Sequence, residues 1–287
     1  MSDELKRIAD RIDELVARVE RLLPAGGAGP DWKASAAFRW RKNARGSGYL
    51  EAVRHPHAIR FSDLKDIDEQ KRRLRENTAQ FVAGRPSNNV LLTGARGTGK
   101  SSLVKAALHE FGPKGLRLIE VDKRDLVDLP DIVDLVAERP ERFILFCDDL
   151  SFEASDAGYK SLKVALDGSI AGSAENVLIY ATSNRRHLMP EFMDENLEAR
   201  HVDGEIHPGE TTEEKISLSE RFGLWLSFYP FDQDQYLEIA SHWVSTLGGK
   251  ASDESRKAAL VWALERGSRS GRVAYQFARD YAGRNPA

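Results

Sequence analysis

A single cysteine, Cys147, is all the thiol chemistry in this sequence of 287 residues. One cysteine forms no internal disulfide and no Cys-rich zinc site. It ends the apolar run Phe143-Ile144-Leu145-Phe146-Cys147 and so reads as a buried strand residue, not a nucleophile. Long apolar runs are missing too: none approaches the roughly 18 residues a membrane-spanning helix needs. Neither sign of charge dominates, with 42 Lys plus Arg against 45 Asp plus Glu and a net charge of −3. The chain as a whole is therefore no basic nucleic-acid coat, although a local basic patch stays open. Internal repeats are absent. The opening Met1-Ser2-Asp3-Glu4-Leu5-Lys6 is charged, so no secretory signal is expected and the expected residence is cytoplasmic. What is present is ordinary globular composition, 41% apolar and 30% charged, enough for one large domain or two small ones.

Four stretches follow one another. Residues 1–23 read as a helix, with Leu5, Ile8, Ile12, Leu15, Val19 and Leu22 spaced 3, 4, 3, 4, 3. That narrow seam suits a short coiled coil or docking helix, the alternative being a helix lying on its own domain. Residues 24–60 begin as a linker, Pro24-Ala25-Gly26-Gly27-Ala28-Gly29-Pro30. They continue with Lys33, Arg39, Arg41, Lys42 and Arg45 among Trp32, Phe38 and Trp40. Basic residues among aromatics suit nucleic acid. They suit better a helix whose aromatic rings dock on the protein while its arginines stay wet, and that is the expectation here. Residues 61–229 alternate short apolar strands with helical stretches, which argues a parallel sheet covered on both faces. Residues 230–287 are helical throughout, broken at Gly248-Gly249 and Gly267, and read as a lid.

Gly94-Ala95-Arg96-Gly97-Thr98-Gly99-Lys100-Ser101 satisfies G-x-x-x-x-G-K-[ST] between an apolar strand and a helix, with Ser102 following. Glycines let the backbone wrap a phosphate with its N–H groups inward, and the helix N-terminus faces the same anion. Lys100 is expected to reach the β- and γ-phosphates of ATP, and Ser101 to ligate Mg²⁺. Such a site needs a carboxylate at the end of a neighbouring buried strand. Asp148 follows the apolar run that ends at Cys147, 48 positions beyond Lys100. Asp148 is expected on the metal and Asp149 as the base that polarises water, with Glu153 as its rival. The plainer alternative for Asp148 is a helix cap.

These features resemble an AAA+ ATPase from about Ile59 to Tyr281. The segment Ile59-Arg60-Phe61-Ser62-Asp63-Leu64-Lys65-Asp66-Ile67 resembles the stretch that borders adenine there. Ala181-Thr182-Ser183-Asn184 resembles sensor 1, which implies that Asn184 orients water against the γ-phosphate. Ser219-Glu220-Arg221-Phe222-Gly223 resembles the boxes whose arginine enters a neighbouring subunit's nucleotide, which implies that role for Arg221. Arg185, Arg186 and Arg200 compete for it. Ser270-Gly271-Arg272-Val273-Ala274 resembles sensor 2, which implies that Arg272 couples the lid to the γ-phosphate. A cation in the first turn of a helix opposes the dipole, so an anion beside Arg272 is expected independently.

More narrowly, four phrases resemble the bacterial ATP-binding family labelled domain of unknown function 815. They are Asn88-Asn89-Val90-Leu91-Leu92, Leu118-Ile119-Glu120-Val121-Asp122-Lys123, Asp148-Asp149-Leu150-Ser151-Phe152-Glu153 and Ala181-Thr182-Ser183-Asn184-Arg185-Arg186-His187-Leu188. The fold expected is a three-layer α/β/α P-loop NTPase of the AAA+ type, strand order 5-1-4-3-2, with a C-terminal helical lid. The expected activity is Mg·ATP hydrolysis by a homo-oligomer, a ring or an ATP-dependent assembly, that remodels or loads a protein partner. Nucleic acid is left open as a partner and a membrane is not expected. The alternatives are a nucleotide-gated adaptor with slow hydrolysis and a small-molecule P-loop kinase. Asp149 stands where Glu is commoner, which bears on the rate of hydrolysis and not on nucleotide binding.

Overall fold

The computed structural model describes residues 30–152, 156–167, 174–184, 200–202, 205–207 and 218–286. The heptad seam at 1–23, Glu153, Arg185 and Arg186 lie outside the described residues.

Alternate residues of each buried strand face opposite sides, and here both sides are apolar. In β3 (Val90–Gly94) Leu91 joins one core cluster while Val90 and Leu92 join another. In β5 (Arg142–Cys147) Phe143, Leu145 and Cys147 join the first, and Ile144 and Phe146 the second. Strands apolar on both faces need helices on both, the α/β/α layering of a parallel sheet. The second face is covered by α1 (Asp68–Val82) and α2 (Lys100–Phe111), the first by α3 (Leu129–Val136) and α4 (Ala157–Asp167).

With β1 (Ala37–Lys42), β2 (Gly48–Ala52), β4 (Leu116–Glu120) and β6 (Val177–Ser183) the sheet grows. Beyond a short antiparallel ribbon, β7 (Arg200–Val202) with β8 (Glu205–His207), comes β9 (Leu224–Phe228). The seven strands run in the order β2-β1-β4-β5-β6-β3-β9. Every pairing among them is parallel except the β1–β2 hairpin. Numbered in sequence from the strand that precedes the glycine-rich loop, β3, β4, β5, β6 and β9 stand as 5-1-4-3-2 when taken across the sheet from β9.

Asp31 to Gly48 is not the helix expected from its composition. It carries β1 and leads into β2, and β1 adds to the sheet beside β4, with Phe38 level with Ile119. Phe38 is fully buried and Trp40 nearly so, while Arg39 and Arg41 alternate outward. The rings dock, but with period two. Nor is the outward face free for phosphate. Arg39 pairs with Glu120 at 2.7 Å, Arg41 with Glu51 at 3.2 Å and Lys42 with Asp128 at 2.8 Å.

The lid is α5 (Gln233–Thr246), α6 (Asp253–Glu265) and α7 (Gly271–Arg284) around its own core of Tyr236, Ile239, Ala259, Ala274 and Phe277. Each helix is capped by a side chain: Asp232 on Gln235, Ser252 on Ser255 and Ser270 on Val273. Among the described residues no helix is long and apolar enough to cross a membrane.

Candidate nucleotide-binding site

The loop between β3 and α2 owes its shape to three glycines in the left-handed region, Gly94 (φ +127°), Gly97 (φ +74°) and Gly99 (φ +100°). At Gly94 a side chain is also excluded by space, since a Cβ would fall 1.8 Å from the Phe228 carbonyl oxygen of β9. Helix α2, unlike the lid helices, has no side-chain cap, and its first turn carries no acid. Its first amides are left for an anionic ligand.

Lys100 is buried to 5% exposure, and its Nζ donates to Gly94 O (2.7 Å), Ala95 O (2.7 Å) and Asn184 Oδ1 (3.0 Å). Burial pushes its ammonium below the ordinary lysine range, and Arg96 and Arg272 push the same way, against Asp149 and Asp148. An ammonium held by neutral oxygens in this setting gains most from a phosphate.

Ser101 Oγ donates to Asp148 Oδ1 at 2.6 Å, and Thr182 Oγ1 from β6 donates to the same oxygen at 2.6 Å. Asp148 therefore caps no helix; it is held by hydroxyls from α2 and β6. Asp149 has φ +53°, its N–H donates to Thr182 Oγ1 at 2.9 Å, and its carboxylate accepts from the Asn184 side-chain amide. Lys100, Asn184 and Asp149 thus form one hydrogen-bonded chain. Cys147, one residue before this pair, is fully buried and its thiol is pushed up to about 12, which keeps it inert.

These groups open onto a cavity of about 910 Å³. Ile59 and Leu64 line it on the side of the Ile59–Ile67 segment, and Ile239, Trp243 and Tyr275 on the lid side. Trp243 and Tyr275 stand edge to face with centroids 4.9 Å apart. The lid rests on the loop itself: Gly271 N–H donates to Gly97 O at 2.8 Å, and a Cβ on Gly97 would meet Ser270 at 2.8 Å. Arg272, next in line, is exposed into the cavity with Arg96. A second cavity of about 550 Å³, between the start of β1 and the end of α2, holds none of the loop residues, Asp148, Asp149 or Asn184.

Of the residues expected at the site, Arg96 to Ser102, Asp148, Asp149, Asn184 and Arg272 all line the larger cavity. Arg221 does not. It sits just before β9, whose Leu224 pairs with Val90 at the far end of β3 from the loop, and its Nε meets Asp167 Oδ1 at 2.5 Å. Sequence reasoning gave no role to Thr182, Trp243 or Tyr275. Only the neighbouring Asn184 hinted at Thr182, and nothing local marks two lid aromatics as cavity walls.

Residues fitting Mg²⁺ are present. Ser101 Oγ and Asp148 Oδ1 are adjacent hard oxygens, and among the described residues no three His, Cys, Asp or Glu side chains converge as a metal cage. A cation held by one hydroxyl and one carboxylate needs further oxygens from elsewhere, which phosphates supply.

The profile of the family described as "Protein of unknown function (DUF815)" matches residues 33–285. No curated protein matches the sequence. Among solved structures, a single-residue variant of Thermotoga maritima RuvB is 16% identical, with a TM-score of 0.52 over 78% of this chain and 65% of that one. The chain thus spans just under two thirds of the RuvB chain it matches. The FIGL-1 AAA domain in complex with ADP is 15% identical, with a TM-score of 0.52 over 78% of this chain and 73% of that one. The fold is that of the AAA+ P-loop proteins.

Proposed function

This chain belongs to the family of unknown function DUF815, and from that membership and its AAA+ fold we propose that it binds and hydrolyses Mg·ATP. The observation that carries the reading is the meeting of Lys100, Ser101, Asp148, Asp149 and Asn184, drawn from three separate stretches of chain, at the mouth of one cavity beside uncapped helix amides. The loop amides and Lys100 bind the phosphates, and Trp243 and Tyr275 offer the base an aromatic wall. Mg²⁺, when bound, would be held by Ser101 and Asp148 and would offset charge on the phosphate oxygens. Asp149, oriented by Asn184, takes a proton from water as its oxygen bonds to the γ-phosphorus and the bond to ADP breaks. Arg272 stabilises charge on the transferring group from the lid side. Arg221, remote from its own loop, serves a neighbouring copy. The energy is used to remodel or load a partner, a protein in the first instance. The cytoplasm, where Mg·ATP is abundant, is the compartment this reading calls for.

One observation favours a second reading, an ATP-gated adaptor that hydrolyses slowly. Asp149 is one methylene shorter than the usual Glu, and it is already bonded to Asn184. Turnover with and without candidate partners separates the two.

Titrating a fluorescent ATP analogue into wild type and Lys100→Ala tests the common core of both. Loss of one lysine from two phosphate groups in a desolvated site should cost about 3 kcal/mol, roughly a hundredfold in affinity. Equal affinities would end the phosphate-loop reading.

A further inference from the structure

Asp148 and Asp149 are consecutive, yet both line one cavity. A strand does not allow that, because successive side chains point to opposite faces. Along β5 the alternation puts Ile144 and Phe146 on the α2 side, and Phe143, Leu145 and Cys147 on the α3–α4 side. Continued, it keeps Asp148 beside α2, where it meets Ser101, and sends Asp149 to the other face. The break comes at Asp149 itself, whose φ of +53° is one that side-chain-bearing residues seldom take.

The group that holds this break is Thr182. The β5–β6 register sets Cys147 level with Ala181, so the next step brings Thr182 beside Asp148. Its hydroxyl works in both directions: it donates to Asp148 Oδ1 (2.6 Å) and accepts from the Asp149 N–H (2.9 Å). Its carbonyl then accepts from the Leu150 N–H at 2.7 Å. Three consecutive residues of the acidic segment are thereby tied to one residue that is 1% exposed. We propose that Thr182 is a positioning residue, its hydroxyl holding Asp149 in a left-handed turn that brings both acids to one face of the sheet. This rests on the ATPase reading. It also supplies what that reading lacks, a reason why a base one methylene short can reach the site: the backbone turn carries the carboxylate forward.

The test uses Thr182→Val, which keeps the shape and removes the hydroxyl, and Thr182→Ser, which keeps the hydroxyl. ATP affinity is measured with a fluorescent analogue in EDTA, and hydrolysis by single turnover with Mg²⁺. The valine variant should bind ATP as wild type does and lose about 10²-fold in rate, the cost of a displaced catalytic group. The serine variant should restore the rate to within about threefold, since the same donor and acceptor are present. A folded valine variant with wild-type turnover overturns the inference. So does a serine variant as slow as valine, because packing and not the hydroxyl would then matter. Should valine fail to fold, the serine variant decides alone: near-normal turnover supports the inference and a 10²-fold loss with ATP still bound refutes it. A wild-type protein that binds no ATP removes the functional reading itself, an outcome distinct from a fast Thr182→Val.

Discussion

At the scale of single residues, the two acids after β5 divide the labour by their partners. Asp148 shares one oxygen between Ser101 and Thr182, whereas Asp149 faces the cavity and holds Asn184. Asp148→Asn should therefore abolish the dependence of ATP binding on Mg²⁺ and stop turnover. Asp149→Asn should leave Mg·ATP bound and stop turnover alone. Affinity measured with Mg²⁺ and with EDTA, beside a phosphate-release assay, separates the two patterns. If Glu153→Gln reproduces the second pattern and Asp149→Asn does not, the base is Glu153. Were the acids only structural acceptors, each change would cost about 1 kcal/mol of stability with no selective kinetic effect.

At the scale of elements, the β1–β2 hairpin is a structural extension of the sheet. Trp32 and Phe38 pack together with ring centroids 4.7 Å apart, and Trp40 donates its indole N–H to Asp128 at 2.8 Å. Gly48, across the strand pair, has no room for a side chain: a Cβ would lie 1.8 Å from the Trp40 ring. Gly48→Val should dislodge Trp40 and lower stability by about 1–3 kcal/mol. ATP affinity should stay at the wild-type value, since no hairpin residue lines the larger cavity. Urea unfolding followed by tryptophan fluorescence gives the first quantity and nucleotide titration the second. A variant as stable as wild type would mean that the hairpin packs loosely. The lid presents the opposite case, an element in direct contact with the loop. Its helix α7, which carries Arg272, begins on the Gly97 carbonyl.

At the scale of the whole molecule, the sheet separates the loop from Arg221. A guanidinium at the opposite end of the strands is remote from its own loop, and the proposal that it serves a neighbour's nucleotide is open to test. Arginines acting in this way contribute about 10³–10⁵ in rate. Specific activity should accordingly rise with protein concentration, and Arg221→Ala should bind ATP normally while losing turnover. Mixing it with Lys100→Ala should recover part of the activity, because one mixed interface joins an intact loop to an intact arginine. Activity per chain that is flat with concentration, together with a dead mixture, would return Arg221 to its structural pairing with Asp167.

Much of the fold, and the meeting of the candidate site's residues at one cavity, was legible in the residues alone. Strands apolar at every position imply a sheet covered twice, and the loop from Gly94 to Ser101 is a local motif whose chemistry follows from its own backbone. Asp148 was legible for the same reason, as the acid ending an apolar run. The hairpin was misread although Phe38 and Trp40 alternate with Arg39 and Arg41, because aromatic and basic residues serve helices and strands alike and only the pairing with β4 chooses. Thr182 was illegible, since its hydroxyl matters through register with a strand 34 positions away. Trp243 and Tyr275 were illegible because the docking of the lid, and no spacing, makes them cavity walls. Local conformational preference and hydrophobic pattern are properties of neighbouring residues and can be read along the chain. The left-handed turn at Asp149, the facing of two acids and the distance of Arg221 from the loop are properties of strands brought side by side, and exist only once the sheet has formed.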